Sequence, residues 1–171
     1  LELENPVAAK RTVLPLILLV EDNDELRHFL KNSLNSDYRV EEAENGLVGW
    51  KKIERIMPDF IITDLLMPEM DGLELTQKVK DDSRTSHIPV ILLTAVTDIE
   101  SKVTGMKIGV DDYITKPFSS EFLHARIENL INQRKQLQQH YRTQIIASSK
   151  PDFSLPALEI ASQDENKKKK I

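Results

Sequence analysis

The chain contains no cysteine in 171 residues. That excludes disulfides, thiolate zinc sites and a cysteine nucleophile, and it suits a protein of the cytoplasm. Glycine is scarce, at 5 residues, and none of them builds a glycine-rich phosphate loop, which argues against nucleotide binding. Gly105 and Gly109 read as a helix end and a turn. No apolar run approaches the roughly 20 residues that a membrane span requires, and no secretory signal pattern opens the chain, so no membrane contact is expected. Positive charge is not in excess: 23 Lys and Arg stand against 28 Asp and Glu, a net charge of −5. A broad nucleic-acid surface, and direct nucleic-acid binding by this chain, are therefore not expected. His28, His87, His124 and His140 show no metal-ligand spacing and read as surface or packing residues. The first residue is Leu1 and not Met, so the chain is expected to be a piece of something longer.

What is present is an alternation of apolar runs with amphipathic stretches, the βα pattern of a parallel sheet. Strands are expected at 16–21, 38–43, 60–64, 90–94 and 112–116. The runs at 16–20, 60–62 and 90–93 are apolar without alternation, as in strands covered on both faces. Tyr38-Arg39-Val40-Glu41 alternates and reads as an edge strand. Helix starts have a mechanism: Asp71 with Glu74 and Thr97 with Glu100 have capping-box spacing, Asn45 can cap 46–57 with Pro58 as a stop, and Ser119 can cap the last helix. The fold class is α/β, a doubly wound five-stranded parallel sheet in the order 2-1-3-4-5 with helices on both faces, flavodoxin-like. Residues 1–14 read as a linker, 15–133 as one domain, 134–147 as a helical extension of the last helix and 148–171 as a disordered tail. The lysine tetrad 167–170 lies in that tail and reads as solvated charge.

The chemistry gathers at the strand ends. In an open α/β sheet the carboxyl ends of parallel strands line one edge, where ligands bind. Glu21 and Asp22 follow the first strand, Asp64 ends the third, Thr94 follows the fourth and Lys116 ends the fifth. Each alone has a bland reading, as a cap, a strand residue or a surface charge. Their joint occurrence at four strand ends predicts one pocket of three acids, a hydroxyl and an ammonium. Such a pocket suits Mg2+, which wants oxygen ligands and needs only one or two carboxylates. Asp22 and Asp64 are the expected direct ligands, with Glu21 acting through a water. Asp64 is the expected nucleophile, since carboxylates form covalent phosphoryl intermediates. Lys116 would pair with one phosphoryl oxygen, and Thr94 would donate a hydrogen bond to another. The Lys116-Pro117 bond is expected to be cis, turning the lysine back into the pocket.

The set Glu21-Asp22, Asp64 with Met67-Pro68-Glu69-Met70-Asp71-Gly72, Thr94-Ala95 and Asp111-Asp112-Tyr113-Ile114-Thr115-Lys116-Pro117-Phe118 resembles the receiver domain of bacterial two-component response regulators. The resemblance implies phosphoryl transfer from a histidine kinase to Asp64 with magnesium, the backbone carbonyl of Leu66 as a further metal ligand, and a switch involving Thr94 and Tyr113. It also points to the receiver of a hybrid sensor, whose kinase lies in the same parent chain; such hybrids often continue into a DNA-binding domain. Read-out is expected at the face of helix 98–108, strand 112–116 and helix 119–142, as dimerisation. Leu66 and Val96 flank the site with apolar side chains, so loss of the phosphoryl group should be slow. Enzymatic activity is confined to self-phosphorylation and this slow reversal. Two rivals stand beside this reading. One is a haloacid-dehalogenase-like phosphatase using Asp22, with Asp22-x-Asp24 imitating its motif. The other is a phosphorylation-independent, receiver-like binding module.

Overall fold

A computed structural model describes residues 13–95 and 99–149. Five strands, β1 (Leu16–Val20), β2 (Arg39–Ala43), β3 (Phe60–Asp64), β4 (Val90–Ala95) and β5 (Asp112–Lys116), alternate with five helices. The helices are α1 (Asp24–Leu34), α2 (Gly46–Ile56), α3 (Gly72–Asp81), α4 (Ile99–Ile108) and α5 (Ser120–Ser149). All strand pairs are parallel, in the order β2-β1-β3-β4-β5. The flavodoxin-like expectation holds.

Burial explains which strand sits where. Every residue of β3 is buried, as are Ile17 to Val20 of β1 and Val90 to Thr94 of β4. These runs carry no alternation because helices cover both faces of the sheet centre. The edge strand β2 alternates exposed and half-buried residues up to Ala43. On one face Leu18, Val20, Ile61 and Val90 pack with Ile53 of α2 and with Leu75 and Val79 of α3. Each such side chain taken fully out of water contributes roughly 1.5–3 kcal/mol.

Local sequence sets the helix starts. Asn45 Oδ1 accepts from Val48 N at 2.9 Å, Asp71 Oδ1 from Glu74 N at 2.8 Å and Ser119 Oγ from Phe122 N at 3.1 Å. Each bond satisfies a first-turn donor that has no partner within its helix. Asn23 caps α1 in the same way, accepting from Leu26 N at 2.9 Å, a start the sequence reading did not single out. Met57 ends α2 in the left-handed region at φ 45°, just before Pro58. Thr97 of the capping pair Thr97–Glu100 lies outside the described residues, as does Val96. Gly105 lies in the last turn of α4, its carbonyl accepting from Gly109 N and Val110 N at 3.0 Å, and Gly109, at φ 101°, forms the turn.

The chain divides into two compact units at Glu128/Asn129. In the second unit the described residues continue α5 to Ser149, with Leu137, Tyr141, Ile145 and Ile146 exposed. The expected tail beyond 149 lies outside the described residues.

Candidate functional site at the carboxyl edge of the sheet

The register brings the acids together. Val20 pairs with Thr63, so the next residues along, Glu21 and Asp64, meet at the same level. Asp64 pairs with Leu93, which puts Thr94 one step beyond it on the neighbouring strand. Ala95 pairs with Lys116, one strand further out. Glu21, Asp22 and Asp64 each offer a carboxylate oxygen within 4.8 Å of the others. Lys116 Nζ lies 3.1 Å from Asp64 Oδ1 and 3.4 Å from Glu21 Oε2. The Lys116-Pro117 bond is cis, as expected.

Glu21 is only 1% exposed. Burial, and then the neighbouring Asp64 charge, push its carboxyl up to about 7, while the Asn23 N–H and the Lys116 ammonium pull the other way. The Asn23 N–H donates to Glu21 Oε1 at 3.1 Å. Three carboxyl groups thus stand around the single ammonium of Lys116. An all-oxygen donor set with one deeply desolvated carboxylate and one exposed one, Asp22, fits a hard divalent cation that retains waters.

Asp64 Oδ1 also accepts from the Leu65 N–H at 2.9 Å. Thr94 is buried, and its hydroxyl donates to the Ala95 carbonyl at 3.2 Å, so its side chain is occupied by the end of its own strand. Leu66 exposes its side chain to solvent. Tyr113 reaches sideways to α4, donating to the Lys102 carbonyl at 2.9 Å, and burial raises its hydroxyl pKa. Asp24, the second acid of the phosphatase-like pattern, stands on the first turn of α1 and pairs with Arg27 at 2.6 Å, outside the acid cluster.

Three supporting residues were not legible as such. Arg27 donates to the Glu21 carbonyl at 2.7 Å while it pairs with Asp24, and so ties α1 to the loop that presents Glu21 and Asp22. The i, i+3 spacing shows the acid pair but not the carbonyl contact. Gly72 lets α3 start directly against the site: a Cβ there would press on the Asp64 carbonyl and stand 2.7 Å from Leu92 Cδ2. Its N–H donates to Leu65 O at 2.8 Å. Gly46 admits the Met70 backbone to α2, where a Cβ would lie 2.9 Å from Met70 Cβ.

The comparisons agree with this geometry. A family model described as the response regulator receiver domain matches residues 17–128. A histidine kinase of Formosa agariphila is 46% identical over 121 residues, covering 71% of this chain and 9% of that protein. The chemotaxis protein CheY1 of Helicobacter pylori is 39% identical over 66% of this chain and 93% of that protein. Among solved structures, the receiver domain of a sensor histidine kinase from Pseudomonas aeruginosa has magnesium coordinated in its active-site cleft. It superposes with a TM-score of 0.65 at 29% identity, over 70% of this chain and 98% of that chain. The chain thus spans about a tenth of the kinase it matches and nearly all of the chemotaxis protein.

Proposed function

Because the chain belongs to the response regulator receiver domain family, we propose that it is a phosphorelay switch whose acceptor is Asp64. The observation that carries this reading is the approach of Lys116 Nζ to 3.1 Å from Asp64 Oδ1, inside a cluster of acids. Leu65 N–H and Lys116 hold Oδ1, which leaves Oδ2 to attack. Oδ2 attacks the phosphorus of a kinase phosphohistidine. The new O–P bond forms as the N–P bond breaks, and the imidazole leaves with the bonding electron pair. The work of the site is positioning and charge neutralisation. Lys116 meets one developing phosphoryl charge, and Thr94 donates to another oxygen after leaving the Ala95 carbonyl. Asp22 and Asp64 would hold Mg2+ directly, with Glu21 through a water and Leu66 by its carbonyl. The ion supplies Lewis-acid stabilisation of the phosphoryl oxygens.

The switch passes from Thr94 to Tyr113, which lies on the adjacent strand with its hydroxyl bonded to α4. Output is proposed at the α4–β5–α5 face as dimerisation on phosphorylation. Val103 and Met106 on α4 and Phe122 on α5 expose apolar side chains there. Charged side chains beside this face are engaged within the chain. Arg126 bonds Asp112, and Lys80 pairs with Asp111 at 3.0 Å. Apolar contact therefore has the larger share of the proposed interface. The hybrid-sensor context is an inference from relatives such as the Formosa agariphila kinase.

A haloacid-dehalogenase-like phosphatase is disfavoured by the seat of Asp24 outside the cluster, and a phosphorylation-independent module by the complete acid, threonine and lysine set. Incubation with acetyl phosphate and magnesium, followed by intact-mass measurement, tests the reading. One added phosphoryl group is expected, with no turnover of an aryl phosphate. Steady aryl phosphate hydrolysis would instead favour the phosphatase.

A further inference from the structure

Gly105 has no role in the chemistry above, yet it stands in the last turn of α4. Glycine within a helix weakens the helix relative to alanine, because it has more backbone freedom to lose, so it asks for a packing reason. Backbone conformation is not that reason: positive φ among the described glycines belongs to Gly109. The reason is space. A Cβ on Gly105 would collide with the Tyr113 hydroxyl oxygen, stand 2.8 Å from Tyr113 Cζ and press on Leu73 Cδ2 at 3.3 Å. The tyrosine ring thus ends in a notch on α4 that only a missing side chain leaves open. Within that notch its hydroxyl donates to the Lys102 carbonyl at 2.9 Å, with the Ser101 carbonyl at 3.4 Å.

From these contacts we propose that Gly105 is a positioning residue that sets the resting seat of Tyr113, admitting the hydroxyl to the α4 carbonyls and so latching β5 to α4. The regulatory half of this proposal rests on Tyr113 being the switch. The latch opposes any inward turn of the ring, because leaving the notch breaks the hydrogen bond and empties a fitted space. A methyl at 105 fills the notch, breaks that bond and displaces the ring before any phosphoryl group arrives. The resting state then loses its preference, and the change that phosphorylation must drive is already part-way made.

The test uses the full chain with ring-labelled tyrosine. Three tyrosines, Tyr38, Tyr113 and Tyr141, give three ring signals by NMR, and Tyr113→Phe assigns the relevant one. In Gly105→Ala the Tyr113 signal should move while the other two stay, without phosphodonor or metal. It should move toward the position that beryllofluoride, a phosphoryl mimic, induces in the unaltered protein. Labelling by acetyl phosphate should rise several-fold. An unmoved Tyr113 signal in Gly105→Ala would overturn the proposal. Should that variant fail to fold, Gly105→Ala with Tyr113→Leu should fold, because the shorter side chain clears the notch. Failure of this pair would also overturn it, by placing the clash elsewhere. If the signal moves in Gly105→Ala but beryllofluoride never moves it in the unaltered protein, the seat stands and the switch reading falls.

Discussion

Glu21→Gln should make the metal-free domain more stable at pH 8, although it removes a charged partner of Lys116 from the pocket's interior. Raising the Glu21 carboxyl from 4.5 to about 7 corresponds to a ceiling of about 3 kcal/mol, at about 1.4 kcal/mol per pH unit. The sign follows from proton uptake. Between pH 4.5 and 7 the folded chain holds a proton on Glu21 that the unfolded chain has lost, so stability falls as pH rises through that window. Below it the group is protonated in both states and the cost is absent. Glutamine stays neutral throughout and can still accept from the Asn23 N–H. Thermal melts in EDTA should show Glu21→Gln more stable by roughly 1–2 kcal/mol at pH 8, shrinking to a few tenths by pH 4. For a domain of this size that is a rise in Tm of roughly 3–8 °C at pH 8. Added magnesium should stabilise the unaltered protein more than the variant and narrow the gap, since binding to the folded state alone adds stability by mass action. A difference that is the same at pH 4 and pH 8, or a less stable variant at pH 8, would refute the reasoning.

Removing Lys116 should do the opposite. Lys116→Met leaves Asp64 without its ammonium at 3.1 Å and should cost roughly 1–3 kcal/mol in urea denaturation, with part of the loss recovered by magnesium; an unchanged midpoint would contradict it. Gly72→Ala should cost roughly 1–3 kcal/mol, because its Cβ meets the Asp64 carbonyl and Leu92 Cδ2. It should also slow labelling by acetyl phosphate, and normal labelling would show that the loop tolerates the shift. Leu66→Asn with Val96→Glu should shorten the life of the phosphorylated protein by giving an attacking water hydrogen-bond partners; equal decay in both proteins would reject that account.

How much of the site can be read in the sequence depends on what generates it. Glu21, Asp64 and Lys116 were legible because their strands are parallel and end on one edge, so a one-dimensional pattern fixes a three-dimensional meeting. Asn45, Asp71 and Ser119 were legible because a cap is a local bond over three residues. Arg27 on the Glu21 carbonyl was not, since it depends on how α1 leaves the β1 loop. Gly46, Gly72 and Gly105 were not either: each makes room for an atom 8 to 24 residues away, and composition carries no trace of such approaches. The pairing of Arg126 with Asp112 within the chain depends on how α5 lies against β5, which charge patterning alone does not define.

The central claim is that Asp64 takes the phosphoryl group, and the most direct measurement is chemical mapping of the acyl phosphate. Protein labelled with acetyl phosphate and magnesium is reduced with borohydride, which converts a phosphorylated aspartate to homoserine, and is then digested for peptide mass spectrometry. Homoserine at position 64, absent from Asp64→Asn and from unlabelled protein, is the predicted result. Homoserine at position 22 with Asp64 intact, or labelling that persists in Asp64→Asn, would contradict the account.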